Sequence, residues 1–371
     1  MKLRAARANP FTLRFTRPVV TARGAFIERP CVILELRDAD GVRGYGEAAP
    51  WPGFGMETAT ESLAALRRIA PLLCDAELEP GEWPPAVAAQ IHFAPAARAA
   101  LDGALWDLAA RRAGRPLAGH LAARISDTRG PQLEHVQVRA LLVECTTEAL
   151  RKEATTVRLA GYLAAKLKLG SGALAEDIAR VRAARDGLGP HLALYGDANG
   201  AWNEQQAHAA LAALAEFHLA CIEQPVAADE IDALARLRRV ATVPIAADES
   251  VATRRGMQRV IEAEAADIVV LKPASLGGPA AALEVAARAH RAGCRVVFTH
   301  TFESSVGARH ALHCAAAWGD SAAVHGLATQ GLFIRDLADP VACDRGVVTL
   351  SREPGLAITV ADGLQTAARS A

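Results

Sequence analysis

The chain is expected to be an α/β protein, a (β/α) barrel of the modified TIM type, (β/α)7β, carrying a smaller α+β capping domain; three features predict this. Its 371 residues are too many for one small core and suit a barrel of about 250 residues plus a second unit. Its middle alternates short apolar runs with helical stretches, the grammar of parallel strands joined by crossover helices. Those apolar runs end in acids and lysines at a regular interval, which is where a barrel gathers its functional groups.

From Lys2 to Glu47 the pattern is strand-like: FTLRF, then CVILELRDADGVRGYGE, with Asp38 to Gly41 as a turn between β-rich runs. From about Thr58 to Leu121 the texture is helical, with Leu101, Leu105 and Leu108 on one face and Gly114 placed to end the helix. Together these predict a capping domain over residues 1–125. Residues 126–334 hold eight strand candidates: VQVRALLV, YLAAKLKLG, HLALYGDAN, ACIEQPV, VPIAADES, DIVVLKP, CRVVFTH and AAVHGLA. An open doubly wound sheet is the competing topology, but no Gly-x-Gly-x-x-Gly follows the first run. Residues 335–371 return to strand and turn texture and are expected to pack back on the capping domain.

Lys+Arg and Asp+Glu balance at 41 each, so no long-range field draws in nucleic acid or an anionic membrane. The seven cysteines are odd in number, scattered and never Cys-x-x-Cys, which argues against a disulfide frame or zinc cluster and for a reducing cytoplasm. The start has no apolar core of a signal peptide, and no stretch of about 18 apolar residues follows. The expectation is a soluble cytoplasmic enzyme with a small-molecule carboxylate substrate, no nucleic-acid or membrane partner, and room for a homo-oligomer.

Asp197, Glu223, Asp248 and Lys272 end successive strand candidates about 25 residues apart, one βα unit each. Three carboxylates converging at the barrel mouth are costly unless a cation neutralises them. An all-oxygen donor set without His or Cys favours Mg²⁺, with Mn²⁺ the alternative. Taken singly, each acid has a plainer reading as the N-cap of the next helix; the shared interval argues against it. Asn199 and Glu249, adjacent to these acids, are read as residues that orient them.

Lys166 and Lys168, in AAKLKLG, are two apart on one strand and so face the same side, into the mouth. A like charge nearby and partial desolvation favour a neutral amine, which would suit one of them as a base. Lys272 approaches from the opposite side of the ring. Two amines across a metal-held carboxylate define the reaction class: proton abstraction next to a carboxylate, with charge stabilisation opposite.

The segments GYGEAAPWPGFGMET (44–58), ALDGALWDLAARRAGRPL (100–117), GDANGAWN (196–203), IEQP (222–225), ADES (247–250), LKPASLGG (271–278) and ESSVG (303–307), with the Lys-x-Lys at 166–168, together resemble the enolase superfamily. The similarity is to its muconate-lactonizing subgroup, and within it to the o-succinylbenzoate synthases of menaquinone biosynthesis. A Lys or His base acting with Mg²⁺ is a general property of such sites. The resemblance implies that Asp197, Glu223 and Asp248 hold Mg²⁺, that Lys168 is the base supported by Lys166, and that Lys272 stabilises an enediolate. In a synthase, Lys168 would remove the α-proton and then protonate the departing hydroxyl in a syn dehydration. In racemases and epimerases of the subgroup, Lys168 and Lys272 work as opposed acid and base.

The last strand candidate, VHGLATQG, lacks the Asp-x-Asp of dipeptide epimerases and the Glu of muconate cycloisomerases. Its GLAT, with PWPGF and FESSVG, resembles the synthases instead, which implies a succinyl carboxylate met by neutral donors; Gly326 and the Thr299 to Thr301 segment, with N–H and hydroxyl groups, are the candidates. His300 interrupts that segment. It is read as hydrogen-bonded in the pocket wall or touching substrate, with a second base the lesser alternative. Loops around Thr21 to Glu28 and Trp51 to Met56 are expected to cap the pocket. There Trp51, Pro52 and Phe54 either form an apolar wall or hold the two domains together.

Overall fold

A computed structural model describes residues 1–360 apart from 22, 23, 52, 53, 75 and 126. The chain opens with β1 (Leu3–Thr21), β2 (Gly24–Asp38) and β3 (Arg43–Ala48), an antiparallel sheet in that order. Asp38 makes the turn between β2 and β3, its Oδ1 accepting the N–H groups of Asp40 and Val42 at 3.0 and 2.8 Å. Four helices follow: α1 (Ala59–Leu73), α2 (Pro85–Gln90), α3 (Pro95–Arg112) and α4 (Leu117–Arg124). Thr58 and Glu61 form a capping box at the start of α1. Along α3 the backbone lies directly on β3: a Cβ on Gly46 would fall 1.9 Å from the Ala100 carbonyl oxygen. The two glycines of GYGE are thus contact points between strand and helix.

The second half runs β4 (His135–Gln137), β5 (Ala140–Leu142), α5 (Thr147–Leu159), β6 (Ala164–Lys168), α6 (Leu174–Leu188), β7 (Ala193–Asp197), α7 (Glu204–Leu214), β8 (Cys221–Glu223), α8 (Ile231–Val240), β9 (Ile245–Ala247), α9 (Arg254–Glu262), β10 (Ile268–Leu271), α10 (Pro273–Leu276), α11 (Pro279–Arg291), β11 (Arg295–Phe298) and α12 (Ser305–Trp318). Strands β5 to β11 form one seven-stranded sheet with neighbours in chain order, and each pair is parallel. This curled parallel sheet with its antiparallel cap is the predicted fold class.

Two strand candidates differ from expectation. VQVRALLV is split: β4 pairs antiparallel with β13 (Val347–Thr349), which also pairs with β12 (Cys343–Asp344), and only β5 joins the parallel sheet. AAVHGLA shrinks to two bridging residues. His325 pairs with Val138 and Gly326 with Thr299, both parallel, so these two residues close the ring between its first and seventh strands. The chain beyond β13 reaches the cap, where Leu117 N donates to Gly355 O and Leu356 N to Asp107 Oδ1 at 2.9 and 2.8 Å. Residues 361–371 lie outside the described residues. Cys221, Ala246, Ile268, Val270 and Val297 form a buried apolar cluster on the strands of the parallel sheet. Among the described residues no helix is long and apolar enough to cross a membrane.

Candidate active site

Strand register sets the site. Lys168 of β6, Asp197 of β7 and Glu223 of β8 are direct neighbours across the sheet. Glu223 pairs with Ala246, so Asp248, two residues on, shares that inward face. Lys272 directly follows β10 on the far side of the ring. All three acids and Lys272 are buried.

Each carboxylate meets an ammonium group. Lys168 Nζ donates to Asp197 Oδ2 at 2.7 Å and Asn199 Oδ1 at 2.8 Å. Lys166 Nζ bridges Glu223 Oε1, at 2.6 Å, and Asp197 Oδ2. Lys272 pairs with Asp248, its ammonium 4.8 Å from the centroid of the Phe54 ring. Asn199 also donates to Glu249 Oε1 at 3.2 Å, which ties both polar neighbours predicted from sequence into the network.

Burial drives the Glu223 carboxyl upward, with the charge of Asp197 adding to it; burial does the same to Asp248, partly offset by Lys272. Asp197 goes the other way: burial opposes ionisation, but Lys166 and Lys168 outweigh it and hold the carboxyl below its usual range. Burial also opposes the charge on Lys166, yet Asp197 and Glu223 overcome it and raise its pKa. Crowding by a like charge therefore does not set the state of Lys166, because two acids are in direct contact with it.

Among the described residues no three acids are gathered into a ready-made metal cage; ammonium groups stand between them. The donor set nevertheless fits a hard divalent cation, since three buried carboxylates repel one another and a positive charge already bridges two of them. Asp197, Glu223 and Asp248 would be its ligands.

Gln224, which the sequence reading passed over inside IEQP, fixes the turn beyond Glu223. It has φ 42°, and its Oε1 accepts from the N–H groups of Asp248 and Ser250 at 3.0 and 3.1 Å. Its Nε2 donates to Val226 O and Ser250 Oγ, so a left-handed conformation rare for Gln is held by four hydrogen bonds. Arg139, also missed, is buried beside the site. Its Nη2 donates to Glu223 Oε2 at 3.3 Å and its guanidinium lies 4.7 Å from the Tyr195 ring centroid. The signal was a single Arg within the apolar run VQVRALLV.

Arg139, Lys166, Lys168, Glu223, Asp248 and Lys272 line a cavity open to solvent, whose walls also include Trp51, Phe54, Thr299, His300, Thr301 and Gly326. Trp51 takes both readings offered for it: it lines the cavity and packs against Phe26 and Phe302 with centroids 4.5 and 6.2 Å away. Pro52, and residues 22 and 23 of the other predicted loop, lie outside the described residues. Along the strand-seven wall the neutral donors are engaged within the protein. Thr299 Oγ1 donates to Gly326 O at 2.8 Å, and Gly326 N to Phe298 O at 3.0 Å. Thr301 donates through N and Oγ1 to Glu303, at 2.6 and 3.0 Å. His300 sits in the wall with Nδ1 accepting from Phe302 N and Nε2 2.8 Å from Thr329 Oγ1.

A barrel with acids and lysines at its strand ends, roofed by an antiparallel cap, defines a class of enzyme, and comparison with known proteins agrees. Residues 149–364 match the family "Enolase C-terminal domain-like", and residues 7–121 match "Mandelate racemase / muconate lactonizing enzyme, N-terminal domain". The chain belongs to this family and is an enzyme of the enolase superfamily. It is 28% identical to the N-succinyl-L-Arg/Lys racemase of Bacillus cereus over 97% of this chain and 96% of that protein. The crystal structure of that racemase superposes with a TM-score of 0.89, covering 98% of this chain and 97% of the other. The o-succinylbenzoate synthase of Thermobifida fusca is 40% identical over 57% of this chain, and the match spans 66% of the synthase. The fold is also shared with a dipeptide epimerase from Cytophaga hutchinsonii solved with Mg and dipeptide D-Ala-L-Val (TM-score 0.90, 24% identity, 98% of both chains).

Proposed function

We propose that the chain is a Mg²⁺-dependent lyase of the o-succinylbenzoate synthase type, which removes a proton next to a carboxylate and expels water. The observation that carries this is the pair of amines on opposite walls: Lys168 on Asp197 and Asn199, and Lys272 on Asp248. A bound Mg²⁺ supplies Lewis acidity to the substrate carboxylate. Lys168, as the free amine, takes the α-proton, and the ammonium so formed returns it to the leaving hydroxyl, releasing water on the same face. Lys272 stays charged and stabilises the enediolate from the opposite wall. Lys166, held charged between two acids, keeps Asp197 and Glu223 in place. Trp51 and Phe54 shield the reacting carbon from water.

The second reading is an N-succinylamino acid racemase, in which Lys272 delivers a proton to the face opposite Lys168. The relative matched over nearly the whole chain favours it. With Mg²⁺ present, absorbance at the substrate's diene band follows conversion of the succinyl-bearing hydroxycyclohexadiene carboxylate to o-succinylbenzoate, and polarimetry follows an N-succinylamino acid. Dehydration much faster than racemisation supports the lyase; racemisation alone replaces it with the second reading; neither activity overturns both.

A further inference from the structure

We propose that Arg139 receives a second, distal anionic group of the substrate, so that this enzyme prefers dianionic carboxylates to monoanions. The proposal rests on the reading of the cavity as a site for a carboxylate that carries a succinyl-like arm.

The wall expected to bind such an arm has its donors committed. The hydroxyl of Thr299 goes to Gly326 O, the N–H of Gly326 to Phe298 O, and both donors of Thr301 go to Glu303. A buried carboxylate needs charged or neutral donors in their place. Arg139 borders the same cavity as Thr299 and Gly326. A Cβ at Gly326 would come 3.4 Å from Arg139 Nη2 and 2.7 Å from Thr299 Oγ1, so only glycine leaves space between the hydroxyl and the guanidinium.

Arg139 also has donors to spare. Its long hydrogen bond to Glu223 uses one of the five N–H groups of a guanidinium, and Nε is buried with no partner among the described residues. An unpaired donor of this kind is costly, and a guanidinium fork suits a carboxylate.

Calorimetry on Mg²⁺-saturated enzyme compares two probes of equal length, N-succinylglycine and N-butanoylglycine, which lacks the distal carboxylate. The wild type should bind the succinyl probe about 10- to 100-fold more tightly, the scale of a charge-assisted hydrogen bond. Arg139→Gln should narrow that preference to about threefold or less, and Arg139→Lys should restore part of it. Gly326→Ala, which places a methyl group between Thr299 and Arg139, should cause the same selective loss if Arg139→Gln does not fold. The proposal is overturned if the wild type binds both probes alike, or if the preference survives in Arg139→Gln. It is also overturned if both probes weaken equally, which would confine Arg139 to holding Glu223. A wild type that discriminates between the probes but never exchanges their α-hydrogen overturns the reaction assignment and leaves this one standing.

Discussion

Lys166 and Lys168 lie two residues apart on one strand face but meet different partners. Lys166 sits between Asp197 and Glu223, which raise its pKa despite burial, whereas Lys168 touches Asp197 and the neutral amide of Asn199. The first is thereby a fixed charge; the second keeps a neutral neighbour and is the better placed to exchange a proton. Glu223 has both oxygens engaged, one by Lys166 and the other by Arg139. Glu223→Ala would leave Arg139 without its carboxylate partner and Lys166 with Asp197 alone. Mg²⁺ titration by calorimetry should show affinity falling at least about 100-fold, with activity lost. Normal metal binding in that variant would remove Glu223 from the ligand set.

At the scale of elements, the cap and barrel are clasped by buried charge at two places. Arg29 of β2 donates to Ala49 O at 2.5 Å and to Thr301 O at 3.0 Å, and lies 4.7 Å from the Trp51 ring, so one guanidinium holds the cap loop against the end of β11. Glu47 of β3 accepts from Ser304 N and Gly307 N at 3.0 and 2.8 Å, filling the first turn of α12. Burial pushes the Glu47 carboxyl up to about 7, with Glu303 adding to the effect and Ser304 opposing it. A folded-state pKa above the ordinary value of 4.5 means that the fold binds a proton there which the unfolded chain has released. Stability should therefore fall as pH rises from about 4.5 to about 7, by about 3 kcal/mol from this group. Glu47→Gln should flatten that slope when urea midpoints are compared at about pH 5 and about pH 8. An unchanged slope would show that Glu47 ionises freely in the fold.

Across the whole molecule, what could be read from sequence was what repeats. Acids and lysines about one βα unit apart marked the strand ends, because a barrel places equivalent positions of successive strands on one rim. Helical periodicity and the Asp38 turn marked the cap. What depends on contacts between distant segments was not legible. The last strand reduces to His325 and Gly326 because ring closure needs only their two bridges to Val138 and Thr299. The hydrogen bonds of Thr299 to Gly326 and of Thr301 to Glu303 within the predicted wall were likewise not legible, the first because it joins segments 27 residues apart. Arg139 looked like an interruption of an apolar run until Glu223, 84 residues later, was brought beside it.

In the proposed reaction Lys168 moves a proton beside a carboxylate that a divalent ion would hold. The most direct measurement is exchange of the α-hydrogen of an N-succinylamino acid for deuterium, followed by NMR in D₂O for the wild type and Lys168→Ala, with Mg²⁺ and after chelation. The wild type should exchange only with metal present, and Lys168→Ala should lose at least about 1000-fold in rate while still binding Mg²⁺. Exchange that persists in Lys168→Ala, or that proceeds unchanged after chelation, would contradict the account.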